Sequence, residues 1–119
     1  MDSKARCDDV PDQTVKADAG KPQLHLVPPE IIRCIARVRE YGNAKYGDSE
    51  SWRQVDPIRY IDAVYRHMLA FAENPTGADE ESGLPHLWHL ACNAAFLCEM
   101  YKEEFVKQTI SNNETVDKT

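Results

Sequence analysis

Residues 85–101, PHLWHLACNAAFLCEMY, constrain this chain more than any other stretch. Read as a helix, they put Leu87, Ala91 and Ala94 on one side and Leu90 and Leu97 on the other. A helix that is apolar on opposed faces has to be covered on both, so it belongs between other elements rather than on a wet surface. The chain has 119 residues, which suits one domain with one core. A monomer would leave one of those faces exposed, so residues 87–101 are expected at the centre of a contact between copies of the chain.

Two further helices are predicted. The first begins in VPPEIIRCIARVREYG, where Pro29 fits the first turn, Glu30 suits its positive end and Gly42 is a natural terminator. Ile31, Ile32, Ile35 and Val38 share one face. The second opens with Asp56 as N-cap and Pro57 at the first helical position, and NPTG stops it after Glu73. Its expected core stripe is Ile58, Ile61, Tyr65, Met68, Leu69 and Ala72. The third helix is expected from about Pro85 to Lys107. No segment alternates in the manner of a strand. The reading is an all-α bundle of three main helices. Because three such helices make a thin core, we expect homo-oligomerisation, as a homodimer or larger, to complete it.

Residues 1–19 are polar and without periodicity and read as a disordered arm, and residues 108–119 as a disordered tail, leaving 20–107 as the folded domain. The formal net charge of −6 disfavours a polymeric nucleic-acid partner or an anionic membrane surface. Cys7, Cys34, Cys92 and Cys98 form no C-x-x-C pair, which argues against a zinc finger or a thioredoxin-like motif. A reducing, cytoplasmic setting is expected.

The third helix also carries a polar row. At about 100° per residue, Leu90, Asn93, Leu97 and Met100 fall close to the direction of His86, with His89 on its flank. Two readings stand side by side. The histidines fill space in the core, or they belong to a site at one end of the bundle. An acidic turn holding Asp79, Glu80 and Glu81 precedes them. Carboxylates with imidazoles can hold Mg²⁺ or Mn²⁺, whereas acids ahead of a helix also favour its N-terminus electrostatically. On the second helix, Arg66 suits either a phosphate or an ion pair with Asp62, and His67 aims away from it. The intervening loop holds Lys45, Tyr46, Trp52 and Arg53, a mixture that can stack a base and hold phosphates. Trp52 can equally plug the end of the bundle.

Several pieces occur together in order: GKPQLHLVPPE, YGNAKYG, Trp52-Arg53, DAVYRH, Asp79 to Gly83, and HLWHLACN. On these pieces the chain resembles the dATP/dGTP diphosphohydrolase N-terminal-like family, mostly bacteriophage proteins related to the MazG-like all-α pyrophosphohydrolases. The resemblance implies metal-dependent cleavage of a (deoxy)nucleoside triphosphate to a monophosphate and pyrophosphate, with Mg²⁺ or Mn²⁺ as cofactor and the host cytoplasm as its place if phage-encoded. It implies Asp79 and Glu81 as acidic metal ligands, with His86 and His89 as ligands or close supports. Glu81, His86 and His89 become the expected catalytic residues. Lys21, Lys45, Arg53 and Arg66 would neutralise phosphates, and Tyr46, Trp52, His67 and Asn93 would complete the nucleotide site. MazG-like enzymes pair an E-x-x-E helix with an E-x-x-D helix. Here the equivalent helices carry Asp62 with Arg66-His67, and His86 with His89. A non-catalytic protein that sequesters a signalling nucleotide is therefore the alternative.

Overall fold

The computed structural model describes residues 19–118, with side chains to Gln108. The arm expected over residues 1–19 lies outside the described residues except for Ala19. Three helices follow in order: α1 at Glu30–Tyr46, α2 at Pro57–Glu73 and α3 at His86–Lys118. Short 3-10 turns occupy Leu24–Leu26 and Ser51–Gln54. The described residues contain no strand, only an isolated bridge between Ala78 and Pro85. The fold is all-α. No helix among the described residues is long and apolar enough to cross a membrane.

The starts of the helices follow their local chemistry. Asp56 caps α2 by accepting the Ile58 N–H at 3.1 Å, and Pro57, which has no N–H to lose, takes the first position. The first helix runs through Gly42 and ends five residues later than expected, at Tyr46. An interior glycine costs only about 1 kcal/mol against alanine. Gly47, at φ 72°, is the residue that turns the chain out, and its N–H caps the Asn43 carbonyl.

The third helix corrects the expected boundary at Lys107. It continues to Lys118. Each added residue of an established helix gains a hydrogen bond, so polar sequence can extend it without a core.

The third helix packs against both α2 and α1, more extensively against α2, and residues 88–97 are buried or half-buried within the chain. Cys34 and Val38 of α1, Ala63 of α2 and Cys92 of α3 are the buried centre. The core is thin, as expected, but α2 is turned otherwise. Its inward row is Tyr60, Ala63, Val64 and His67, while Ile58, Tyr65, Met68 and Leu69 of the expected core stripe stand exposed. Both faces of α2 carry apolar residues, and small Ala63 allows the closer approach to α3.

Candidate functional site

The end of α1, the Ser51–Gln54 turn, α2 and the first turns of α3 enclose a cavity of about 540 Å³. Cations reach it from two helices: Arg39 and Lys45 from α1, Arg59 and Arg66 from α2. Aromatic wall comes from Tyr41, Tyr46, Trp52, Tyr60 and Phe96. Phe96 is the centre of that wall. It stacks on Trp52 with ring centroids 4.5 Å apart, meets Tyr60 at 5.0 Å, and has the Arg39 guanidinium 5.2 Å from its ring. The Tyr60 hydroxyl donates to the Trp52 carbonyl at 2.7 Å, tying the loop to α2. Trp52 thus closes the bundle and lines the cavity at once.

The remaining wall holds the acid–base groups. Lys45 Nζ donates to both oxygens of Glu81 at 2.9 Å. Hydrogen bonds from Lys45 and then Tyr41 hold the Glu81 carboxyl below its ordinary range, and the same contact holds the Lys45 ammonium above its own. His89 also faces the cavity, with Nε2 2.6 Å from Ser82 Oγ. Because Ser82 Oγ already accepts the Leu84 N–H, its own proton is free to point at His89. Asn93 lines the cavity while donating to the His89 carbonyl at 2.7 Å. The Cys92 thiol is inert, since burial pushes it up to about 11.

Beside His89, a second group assembles. The segment from Gly77 to His86 is a closed turn, held by Asp79 N–H to Leu84 carbonyl at 2.8 Å and His86 N–H to Gly77 carbonyl at 3.1 Å. Gly83, at φ 76°, makes the reversal possible. Within the turn, Asp79 Oδ1 accepts the N–H groups of Glu81 and Ser82 at 3.0 and 2.9 Å. The turn delivers Asp79 to His86 of α3 and His67 of α2. His67 and His86 face each other with Nδ1 atoms 2.9 Å apart, and His89 stacks on His67 at 4.8 Å between centroids.

The family described as dATP/dGTP diphosphohydrolase, N-terminal, matches residues 11–109. The chain belongs to that family. A dATP/dGTP diphosphohydrolase of Salmonella phage PMBT28 is 37% identical over 83 residues, which make up 70% of this chain and 28% of that protein. The chain therefore matches under a third of that relative's length. No solved structure matches significantly.

In this family member the expected residues divide into three sets. Lys45, Tyr46, Trp52, Arg66, Glu81, His89 and Asn93 line the cavity. Asp79, His86 and His67 form the neighbouring group. Lys21 and Arg53 do neither: Lys21 is exposed, and Arg53 stacks on Trp52 while bonding Glu50 at 2.7 Å. Arg66 makes no ion pair with Asp62 among the described residues, which leaves it to the cavity. Arg39, Arg59, Tyr60 and Phe96 escaped the sequence reading. Spacing held the signal, since Arg59, Ala63 and Arg66 recur at four and three residues along one face of α2.

His67 and His89 make stability pH-dependent. Burial first, then the neighbouring His89 and His86, lowers the His67 pKa, and Arg66 adds to this while Asp79 opposes it. Burial also lowers His89, with His86 assisting and Asp79 and Glu81 opposing. Asp79 itself is held below the carboxylate range. Burial opposes its ionisation, but the Ser82 N–H, His89 and the Glu81 N–H outweigh that. A lowered histidine pKa means that the unfolded chain binds protons first on acidification. The stabilisation is complete above the unfolded value near 6.5 and is lost as pH falls from there through the lowered folded values. Chelator-treated protein should therefore lose urea resistance between pH 7 and about pH 5. The His67→Phe variant should show a shallower slope, and equal slopes would refute the assignment.

Proposed function

We propose that the cavity binds a (deoxy)nucleoside triphosphate and that the chain takes part in cleaving it between the α and β phosphates. One observation carries this reading: four cations, an aromatic wall and two candidate bases, Glu81 and His89, share one cavity of the size that small-molecule ligands occupy. The name of the phage relative supports the substrate class. Arg39, Arg59 and Arg66 neutralise the phosphates, and the Trp52–Phe96 wall receives the base. The oxygen of a water molecule bonds to the α phosphorus, the bond from that phosphorus to the bridging oxygen breaks, and pyrophosphate leaves. His89 Nε2 takes the proton of the attacking water, which replaces Ser82 Oγ as its hydrogen-bond donor.

The reading includes Mg²⁺ or Mn²⁺. Of the expected ligands, Asp79 and His86 lie together, while Glu81 is held by Lys45 and His89 by Ser82. On the cavity wall the metal would be held by Glu81, once released from Lys45, together with the phosphates. When bound it would offset charge that builds on the leaving group. Incubation of the purified chain with dATP and dGTP and either metal, followed by ³¹P NMR, tests the proposal. Monophosphate and pyrophosphate are expected; absence of both turnover and binding would overturn it. The Lys45–Glu81 pair favours a second reading, sequestration without chemistry, which predicts tight, metal-independent binding with no product.

We further propose that the outer stripe of α2 seats a second copy. Residues 87–101, which the sequence placed at that contact, are mostly half-buried within their own chain. Tyr65 and Leu69, at 66% and 65% exposed, instead lie with Ile58 and Met68 on one face of α2. Monomers rarely leave extended apolar patches wet. Sedimentation of the wild type should give a dimer or larger, and the Met68→Glu, Leu69→Lys double variant a monomer. A clean wild-type monomer at micromolar concentration would refute this.

A further inference from the structure

The group formed by His67, Asp79 and His86 stands apart from the cavity, because none of the three lines it. Each comes from a different part of the fold: His67 from α2, Asp79 from the closed turn, His86 from the first residue of α3. One donor atom from each lies within 4.8 Å of the others. All three are half-buried, so the group is partly withdrawn from water without being sealed.

From this convergence we infer a binding site for a divalent transition-metal ion of the zinc, cobalt or manganese type, held by His67 Nδ1, His86 Nδ1 and the Asp79 carboxylate. The separation of the two nitrogens is the first reason. Metal–imidazole bonds of about 2.0–2.1 Å place two nitrogens about 2.9 Å apart at a right angle and about 3.3 Å apart at a tetrahedral one. The observed 2.9 Å, a hydrogen bond between the rings while one Nδ1 keeps its proton, equals the octahedral spacing once an ion replaces that proton, and a small rotation of either ring reaches the tetrahedral one. The second reason is the anchoring of the carboxylate. Two backbone N–H groups bind the same oxygen, Oδ1, which fixes the orientation of Asp79 and leaves lone pairs for a metal. The third is support: His89 stacks flat on His67 with 13° between the planes and is itself held by Ser82, so the first ring has little freedom to turn away.

Donor chemistry sets the class of ion. Two imidazoles with one carboxylate suit zinc, cobalt or manganese, whereas magnesium prefers an oxygen shell. Three protein ligands leave positions for water or for a ligand oxygen. The ion would join α2, the turn and the start of α3, fixing the wall that carries His89. The site is separate from any metal that arrives with a nucleotide, and it stands or falls without the nucleotide reading.

The test uses the full chain, stripped with chelator, in the absence of nucleotide. Titration with Co²⁺ followed by absorption should show one ion per chain, with d–d bands of nitrogen and oxygen ligation. Competition by Zn²⁺ should be strong and by Mg²⁺ weak. His67→Asn, His86→Asn and Asp79→Asn should each weaken binding by more than about 100-fold, since even the loss of a supporting partner costs 10–100-fold. His25→Asn, at an exposed position in the Leu24–Leu26 turn, should leave it unchanged. Should a variant fail to fold, wild-type ¹H NMR decides: Co²⁺ should shift the ring signals of His67 and His86 and spare those of His25. Absence of stoichiometric binding, retention of affinity in the three variants, or unshifted His67 and His86 signals would each overturn the inference.

Discussion

Replacing Phe96 by alanine is expected to lower the unfolding free energy by about 3 kcal/mol, the low end of the range for buried Phe→Ala changes because this ring is half-buried. Phe96 joins three elements: it stacks on Trp52 from the loop, touches Tyr60 of α2 and lies beneath Arg39 of α1. Its loss leaves Trp52 without a stacking partner and Arg39 without its ring, contacts that each add a fraction of a kcal/mol or more. With four apolar residues buried among those described, the fold has little to compensate. Because the same ring lines the cavity, nucleotide binding should disappear as well. Urea unfolding followed by circular dichroism, with calorimetric titration of a dNTP, measures both. A stability loss below about 1 kcal/mol would show that the aromatic wall is not part of the core.

The second large effect is on chemistry. His89→Gln should reduce turnover of a dNTP by about 10²–10⁴-fold, the usual contribution of a positioned base, while changing nucleotide affinity little. His89 is suited to the role because burial lowers its pKa, so the imidazole is neutral and ready to accept a proton near pH 7. Glutamine keeps a polar group within reach of Ser82 but takes up no proton. Single-turnover rates by chromatographic product analysis would decide. Turnover within tenfold of wild type would remove His89 from the chemistry and leave it as cavity wall.

These residues were unequally visible in the sequence. The start of α2 was legible because Asp56 and Pro57 act on the backbone beside them. The opposite directions of Arg66 and His67 were legible too, since helical geometry fixes the angle between neighbours, and the structure sends the first to the cavity and the second to His86. The face that α2 buries was not legible. Periodicity locates two faces but does not rank them, and small Ala63, not the larger Leu69, marks the side that approaches α3. Gly42 misled for a related reason: composition cannot separate a tolerated helical glycine from Gly47, whose positive φ ends the helix. The acidic turn and the histidines of α3 stood out as a candidate site. That His67 would join Asp79 and His86 could not be read from the chain, because that meeting depends on how α2 and α3 cross.

The contact between Lys45 and Glu81 has a consequence for selectivity. Lys45 comes from α1, Glu81 from the turn before α3, and each already answers the other's charge at the cavity wall. A phosphate that reaches Lys45 meets an internal competitor there and would have to displace the carboxylate. Exposed pairs of this kind are weak and screened by salt, so a ligand with several negative charges displaces the carboxylate readily, while a singly charged one gains little by doing so. On the proposed nucleotide reading, this pair would filter ligands by charge. Affinity should climb more steeply from nucleoside monophosphate to triphosphate in the wild type than in Glu81→Gln, where the competitor has lost its charge.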